Sequence, residues 1–348
     1  MPDNASPGDR SEKPLLTVRG LRTELRLRKR VLPVVQDLSF HLHSGETLGI
    51  VGESGCGKSM TALSVMRLVP SPPARIVAGS IEFGGTELLE LPEPQMRRLR
   101  GSSISMIFQE PMTALNPVRT IGSQIVEAIR LHQGLGWRAA RDRAAEMLDL
   151  VRIPDARLRL DEYPHHLSGG MRQRVTIAMA LSCGPRLLLA DEPTTALDVT
   201  IQAQIMSVLA ELRHRLGTAM VLITHDLGLV AESCDRVLVM YGGHKIEEAR
   251  TEQLFTTPAH PYTRGLLDSI PHLAVGSDVS QWAGTRHRLR EISGTMPALD
   301  KLPAGCPYAP RCPLASEQCR TAMPPLLPQG DGHLAACWHS ARLSGVTQ

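Results

Sequence analysis

The chain has 348 residues, 42% of them hydrophobic and 21% charged. That is a length for about two domains and the composition of an ordinary soluble globular protein. No apolar run approaches the roughly 18 residues of a membrane helix. The opening MPDNASPGDRSEKP has no hydrophobic stretch to serve as a secretory signal, so residues 1–13 are expected to form a disordered tail. A net charge of +3 is too small to argue for nucleic acid or anionic lipid. Seven cysteines, an odd count with no signal, point to a reducing cytosol. There, clustered cysteines more often hold a metal or cluster than pair as disulfides.

From 15 to 51, apolar runs alternate with turn residues, which predicts several short strands. LGIVG (48–52) reads as a buried strand ending in glycine. KSMTALSVMRLV follows as a helix stopped by the prolines of PSPP (70–73). Between about 99 and 167 the pattern changes: IGSQIVEAIRLH and RAARDRAAEMLDLVRI repeat apolar residues at i, i+3, i+4, the mark of amphipathic helices in a helical insertion. RLLLADE and AMVLITHD are short apolar strands separated by a helix that Gly217 ends. Beyond about 255 prolines become frequent and periodicity fades. Residues 256–348 are expected to form a separate, loop-rich appendage. There is no internal repeat.

GESGCGKS (52–59) fits G-x-x-x-x-G-K-[ST]. Its glycines let backbone N–H groups turn inward around a phosphate, Lys58 can reach the β and γ phosphates, and Ser59 can ligate Mg²⁺. The helix that starts there aims its N-terminus at the anion. A plain glycine turn before an ordinary helix is the competing reading, but an eight-residue match directly after an apolar strand disfavours it. Cys56 reads as a small tolerated residue, not a nucleophile. LLLADEP puts Asp191 and Glu192 at a strand end. Asp191 can hold Mg²⁺ beside the loop, and Glu192 can polarise water as a general base. An acidic pair that only caps a strand is the plainer alternative, and the loop upstream argues against it. LSGGMRQ (167–173) is a second anion-binding helix start, Gln109 follows an apolar strand in IFQEP, and His225 ends the run VLITHD.

In this order, phosphate loop, glutamine, LSGG, DEP, LD and histidine resemble the ATPase subunit of an ABC transporter over roughly 15–255. The resemblance implies an α/β P-loop ATPase at 14–255, with a RecA-like core, an antiparallel β subdomain and a helical subdomain near 99–167. It implies that Gly52, Glu53, Ser54, Gly55, Cys56, Gly57, Lys58, Ser59 and Met60 surround ATP phosphates. Ser59, Gln109 and Asp191 would serve Mg²⁺. Gln109 would also sense the γ-phosphate and link the site to membrane subunits. Glu192 would activate water and His225 would orient it. Ser168, Gly169 and Gly170 would meet an ATP bound to the opposite subunit, with Asp198 in the loop crossing that interface. One feature departs. Family members usually stack an aromatic from the first strands on adenine, and here the first aromatic is Phe40. Leu25 falls near that position and offers no π face, so weaker or less adenine-selective binding is expected.

TTPAHPYTRGLLDSIP (256–271), FQEPMTALNP (108–117), GCPYAPRCPLASEQC (305–319) and HLAACW (333–338) look like oligopeptide and dipeptide importers, specifically the first of their two ATPase partners. That implies a second ATPase chain, two transmembrane permease chains, an extracytoplasmic solute-binding protein and a place on the cytoplasmic face of the inner membrane. Peptides are the implied cargo. Nickel, glutathione or a glycoside remains open, as does a soluble regulatory ATP-binding protein with no membrane partner. A phosphoryl-transferring kinase shares the loop but has no use for LSGGM.

Cys306, Cys312, Cys319 and Cys337 are spaced C-x5-C-x6-C-x17-C. Zinc knuckles are tighter. A [4Fe–4S] cluster takes four thiolates in a larger cage, and the subfamily resemblance implies one here. Four reduced structural cysteines are the third reading. His333 and His339, flanking Cys337, are expected to be surface residues.

Overall fold

The computed structural model describes residues 13–28, 30–109, 114–194, 198–269 and 292–343. Residues 1–12, parts of FQEPMTALNP and LD, and the end of TTPAHPYTRGLLDSIP lie outside them. The chain opens with β1 (Leu16–Leu27) and β2 (Arg30–Leu42), then the five-residue β3 (Thr47–Val51) and α1 (Lys58–Val65). β4 (Ala74–Phe83), β5 (Thr86–Glu87), α2 (Glu93–Leu99) and β6 (Ile104–Ile107) follow. α3 (Ile121–Gln133) and α4 (Trp137–Leu150) make a helical layer, and α5 (Gly169–Leu181) leads back to β7 (Leu187–Asp191). α6 (Val199–Leu216), β8 (Ala219–Ile223), α7 (Leu227–Ser233), β9 (Arg236–Tyr241) and β10 (His244–Arg250) complete the middle of the chain. The last stretch holds α8 (Thr251–Thr256), α9 (Pro261–Asp268), α10 (Glu317–Thr321), β11 (Leu327–Gly330) and β12 (His333–Ala335).

Two sheets result. The smaller has the order β2-β1-β4-β5 and is antiparallel. The larger has the order β11-β12-β10-β9-β3-β8-β7-β6. Its β9, β3, β8, β7 and β6 are parallel. Every residue of TLGIV, LLLAD and AMVLI is buried, as expected of parallel strands covered on both faces. One apolar cluster fills the space between the small sheet, α1 and the large sheet. The other joins the opposite face to the helical layer.

ISMI, the apolar strand expected before Gln109, is β6 at the edge of the large sheet, paired with β7. The helical layer therefore begins with α3, not near residue 99. The segment beyond 255 is not set apart either. β12 pairs with β10 through Glu247 and Glu248, and Cys306, Tyr308, Ala309 and Cys319 lie in the same apolar cluster as the helical layer.

Candidate active site

The polar residues singled out above gather at the carboxyl ends of the parallel strands, where open α/β sheets bind ligands. β3 runs into the glycine loop. Gly52 has φ 150°, and a Cβ there would stand 2.2 Å from the Met240 carbonyl oxygen. At Gly57, φ 105°, a Cβ would stand 2.3 Å from the Val34 carbonyl oxygen. Neither position tolerates a side chain. The first bond of α1 runs from the Thr61 N–H to the Gly57 carbonyl, 2.9 Å, so the N–H groups of Lys58, Ser59 and Met60 form the positive end of the helix. The Met60 side chain packs into the apolar cluster and leaves only its backbone to the site. Lys58 is buried, and its Nζ donates to the carbonyls of Gly52 at 2.7 Å and Glu53 at 3.1 Å. Cys56 is fully buried, and burial raises its thiol pKa, which removes it as a nucleophile.

β7 delivers the two carboxylates in opposite senses. Asp191 accepts a hydrogen bond from Ser59 Oγ at 3.0 Å. Burial pushes its pKa up, against the pull of the Ser59 bond and the Lys58 charge. Glu192 takes a left-handed backbone, φ 47°, uncommon for a side chain of this size. It is fixed there by its N–H donating to the Ile223 carbonyl at 2.8 Å. Its side chain turns to the exposed residues that end β6 and β8. Gln109 Nε2 donates to its Oε2 at 3.3 Å, and His225 Nδ1 stands 3.4 Å from its Oε1.

A second group forms on two helix starts. Ser168 caps α5 by accepting from the Met171 N–H, and Asp198 caps α6 by accepting from the Ile201 N–H. Gly169 begins α5. Gly170 lies against Ile201, where a Cβ would come within 2.8 Å of Cγ2. Among the described residues no hydrogen bond or ion pair joins this group to Lys58, Ser59 or Asp191.

Sequence reading missed the clamp on the loop. The Glu53 N–H donates to the Tyr262 hydroxyl at 2.8 Å, and Arg311 Nη1 donates to both Glu53 carboxylate oxygens at 2.9 Å. Tyr262 does lie in HPYTRGLL, but no local spacing announces a contact across 258 residues.

The four late cysteines line one pocket with His260, Tyr308, Trp338 and His339. None of them is in a disulfide. Burial pushes Cys306 up to about 12 and Cys337 up to about 11, with the other sulfurs adding to both, and Cys312 is raised for the same reason. They are not a ready single-ion site: among the described residues, no set of three or more His, Cys, Asp or Glu could hold a metal ion. His333 corrects an expectation, for it is 4% exposed. The β10–β12 pairing puts its Nε2 2.8 Å from Glu247 Oε1, and the same carboxylate accepts from the N–H groups of Ala259 and His260. His339 is half-buried and contacts Ser316 Oγ at 3.0 Å.

A phosphate loop, two divergent carboxylates and a separate glycine-rich helix start define an ATP-binding cassette. Residues 35–195 match the family model described as ABC transporter, and 246–319 match that of the oligopeptide/dipeptide transporter C-terminal region. The chain is 53% identical to a probable peptide ABC transporter ATP-binding protein of Sinorhizobium fredii, covering 94% of this chain and 95% of that one. It is 49% identical to the oligopeptide transport ATP-binding protein OppD of Haemophilus influenzae, over 94% and 98% of the two chains. A dimeric ATP-binding cassette solved in a post-hydrolysis state with ADP and Pi shares the fold, with TM-score 0.61, 24% identity and coverage of 68% and 98%. Part of an ABC transporter complex from Clostridium perfringens does so with TM-score 0.59, 26% identity and coverage of 70% and 91%. The chain belongs to the ABC transporter ATP-binding family and is an ATPase of that type. Such ATPases work with membrane permease subunits. No helix among the described residues is long and apolar enough to cross a membrane itself.

Proposed function

We propose that this chain powers uptake of di- or oligopeptides, hydrolysing ATP at the cytoplasmic face of the membrane. The observation that carries the reading is the convergence of Lys58, Ser59, Asp191, Glu192, Gln109 and His225 at the carboxyl ends of the parallel strands. The match of 246–319 to a peptide-transporter region supports the cargo. Residues 14–255 would form the ATPase unit and 256–348 the extension.

The N–H groups at the start of α1 and the Lys58 ammonium would bind the phosphates, exchanging the lysine's carbonyl partners for phosphate oxygens. The Ser59 hydroxyl and Asp191 carboxylate, already in contact, are the hard oxygen pair that Mg²⁺ prefers. They would hold it with help from Gln109, and the ion would supply charge neutralisation at the β and γ phosphates. Glu192 would accept a proton from water attacking the γ-phosphorus, with His225 and Gln109 fixing its carboxylate. Ser168, Gly169 and Gly170 would close over an ATP held by a second ATPase chain, with Asp198 at the seam. The fuller assembly would add two permease chains and an extracytoplasmic solute-binding protein.

The four cysteines would hold a [4Fe–4S] cluster. Four sulfurs on one pocket, two of them buried and two half-buried, supply the donor set. A tetrahedral zinc site, with Zn–S near 2.3 Å, needs its sulfurs closer together than a cluster does. The wide C-x5-C-x6-C-x17-C spacing suits the larger group better than a zinc knuckle. Its contribution would be structural, anchoring a proline-rich segment.

Glu192→Gln tests the catalytic reading. The variant is expected to keep ATP binding, lose 100-fold or more of turnover, on the order of general-base contributions, and fail to restore peptide uptake to cells lacking the chain. Turnover at the wild-type rate would overturn the assignment of Glu192. Normal peptide uptake in cells lacking the chain would overturn the cargo.

A further inference from the structure

Glu53 is the residue after Gly52 in the phosphate loop, and it is held at three points. Its carbonyl accepts from Lys58 Nζ at 3.1 Å, its N–H donates to the Tyr262 hydroxyl at 2.8 Å, and its carboxylate takes Arg311 Nη1 at 2.9 Å on each oxygen. Two of these partners come from beyond residue 255. So does Met296, whose Cε would stand 3.5 Å from a Cβ on Gly55.

Arg311 is itself fixed from every side. Its Nε donates to the Ser293 carbonyl at 2.8 Å, and its Nη2 to the carbonyls of Gly294 at 3.0 Å and Ile292 at 3.4 Å. Its Nη1 also reaches the Tyr241 hydroxyl at 3.2 Å. The guanidinium carbon lies 5.9 Å from the ring centres of both Tyr241 and Tyr308. Only 7% of the side chain is exposed. A guanidinium with its planar fork satisfied in this way is preorganised. It is not a solvated surface cation. Cys312 is the next residue, so the turn that carries two of the four sulfurs also carries this arginine.

ATP would bring a polyphosphate to a loop whose own Glu53 is an anion. Left unpaired, that carboxylate would repel the ligand, and its stretch of backbone would have to be ordered at the moment of binding. The Arg311 charge cancels the first cost, and the Tyr262 and Arg311 bonds remove the second.

On the reading that residues 52–59 bind ATP phosphates, we propose that Arg311 and Tyr262 are positioning residues. They hold Glu53 so that the loop is preformed and locally neutral, and the C-terminal extension thereby sets the ATP affinity of a site it does not enter. The test is the Kd of the full chain for Mg²⁺-ATP by calorimetric titration, with thermal melting as the check on folding. Arg311→Ala is expected to weaken binding about tenfold, the scale of one hydrogen-bonded charge pair. Adding Glu53→Gln to that variant removes the exposed charge and is expected to recover most of the loss, which damage to packing alone would not allow. Wild-type affinity in Arg311→Ala, or a loss undiminished in the double variant, overturns the proposal. If Arg311→Ala does not fold, Arg311→Lys keeps charge and stem but not the fork. It is then expected to lose about threefold, and wild-type affinity there overturns the proposal equally. No ATP binding by the wild-type chain would overturn the phosphate-loop reading itself, and this proposal with it.

Discussion

Asp191 and Glu192 are neighbours with different surroundings, and the divergence is made by one backbone angle. The strand leaves Asp191 buried against Ser59, while the left-handed turn at Glu192 sends the next carboxylate towards Gln109 and His225. A carboxylate held beside the Ser59 hydroxyl and one held beside Gln109 and His225 could not share one orientation. Leu25 is the residue where composition predicts a weakness. It is half-buried, pairs with Leu32 and Ala74, and lies two residues after Thr23, whose hydroxyl is 2.9 Å from Ser64 on α1. β1 therefore passes over the helix that follows the phosphate loop. Leu25→Tyr is expected to tighten ATP binding about threefold to tenfold through a π face. An unchanged Kd would show that adenine does not rest there.

The start of α9 shows how one element can carry a pH dependence. Pro261 occupies the first helical position and needs no N–H partner. His260 caps the helix, its Nδ1 accepting from the Tyr262 N–H at 3.1 Å. The cap needs an unprotonated Nδ1. Burial lowers the His260 pKa to about 4, with Glu247 opposing the shift. An unfolded chain binds this proton near 6.5, so the stabilisation is full above pH 6.5 and is lost progressively as pH falls towards 4. Between pH 6.5 and 5 the loss is roughly 2 kcal/mol. Asparagine can cap without titrating. His260→Asn is therefore expected to be less acid-sensitive than the wild type in melts over this range, and parallel pH profiles would refute it. His41, His132 and His244 are also lowered, each mainly by burial, but they are common to both proteins and cancel in the comparison.

For the whole molecule, the question is whether the extension stands alone. It adds β12 and β11 to the edge of the large sheet, shares the apolar cluster of the helical layer, and is joined to the core by the buried Glu247 carboxylate and by Arg311. Calorimetry of the full chain is accordingly expected to show one unfolding transition. Cys312→Ser is expected to lower its midpoint by about 3 °C, the scale of a 1 kcal/mol loss in a large domain, without splitting it. Two resolved transitions would mean that the extension folds independently of the ATPase core.

The legible part of this protein is the local part. GESGCGKS after LGIV, DEP after LLLA and the glycine start of LSGG each carry their meaning within eight residues, because strand burial, positive φ and helix-end charge are local properties. From these the α/β cassette and the family could be read. What lies between distant segments could not. That His333 is buried on Glu247, that ISMI pairs with β7 at the end of the large sheet, and that Arg311 and Tyr262 hold Glu53 all depend on which surfaces meet once the apolar faces are buried. The cysteines stand between the two cases. Their spacing marked them as a set, but only the meeting of 306–319 with 337–339 brought four separated thiols to one pocket. Contacts across 200 residues leave no periodicity in the chain, so tertiary structure alone decided them.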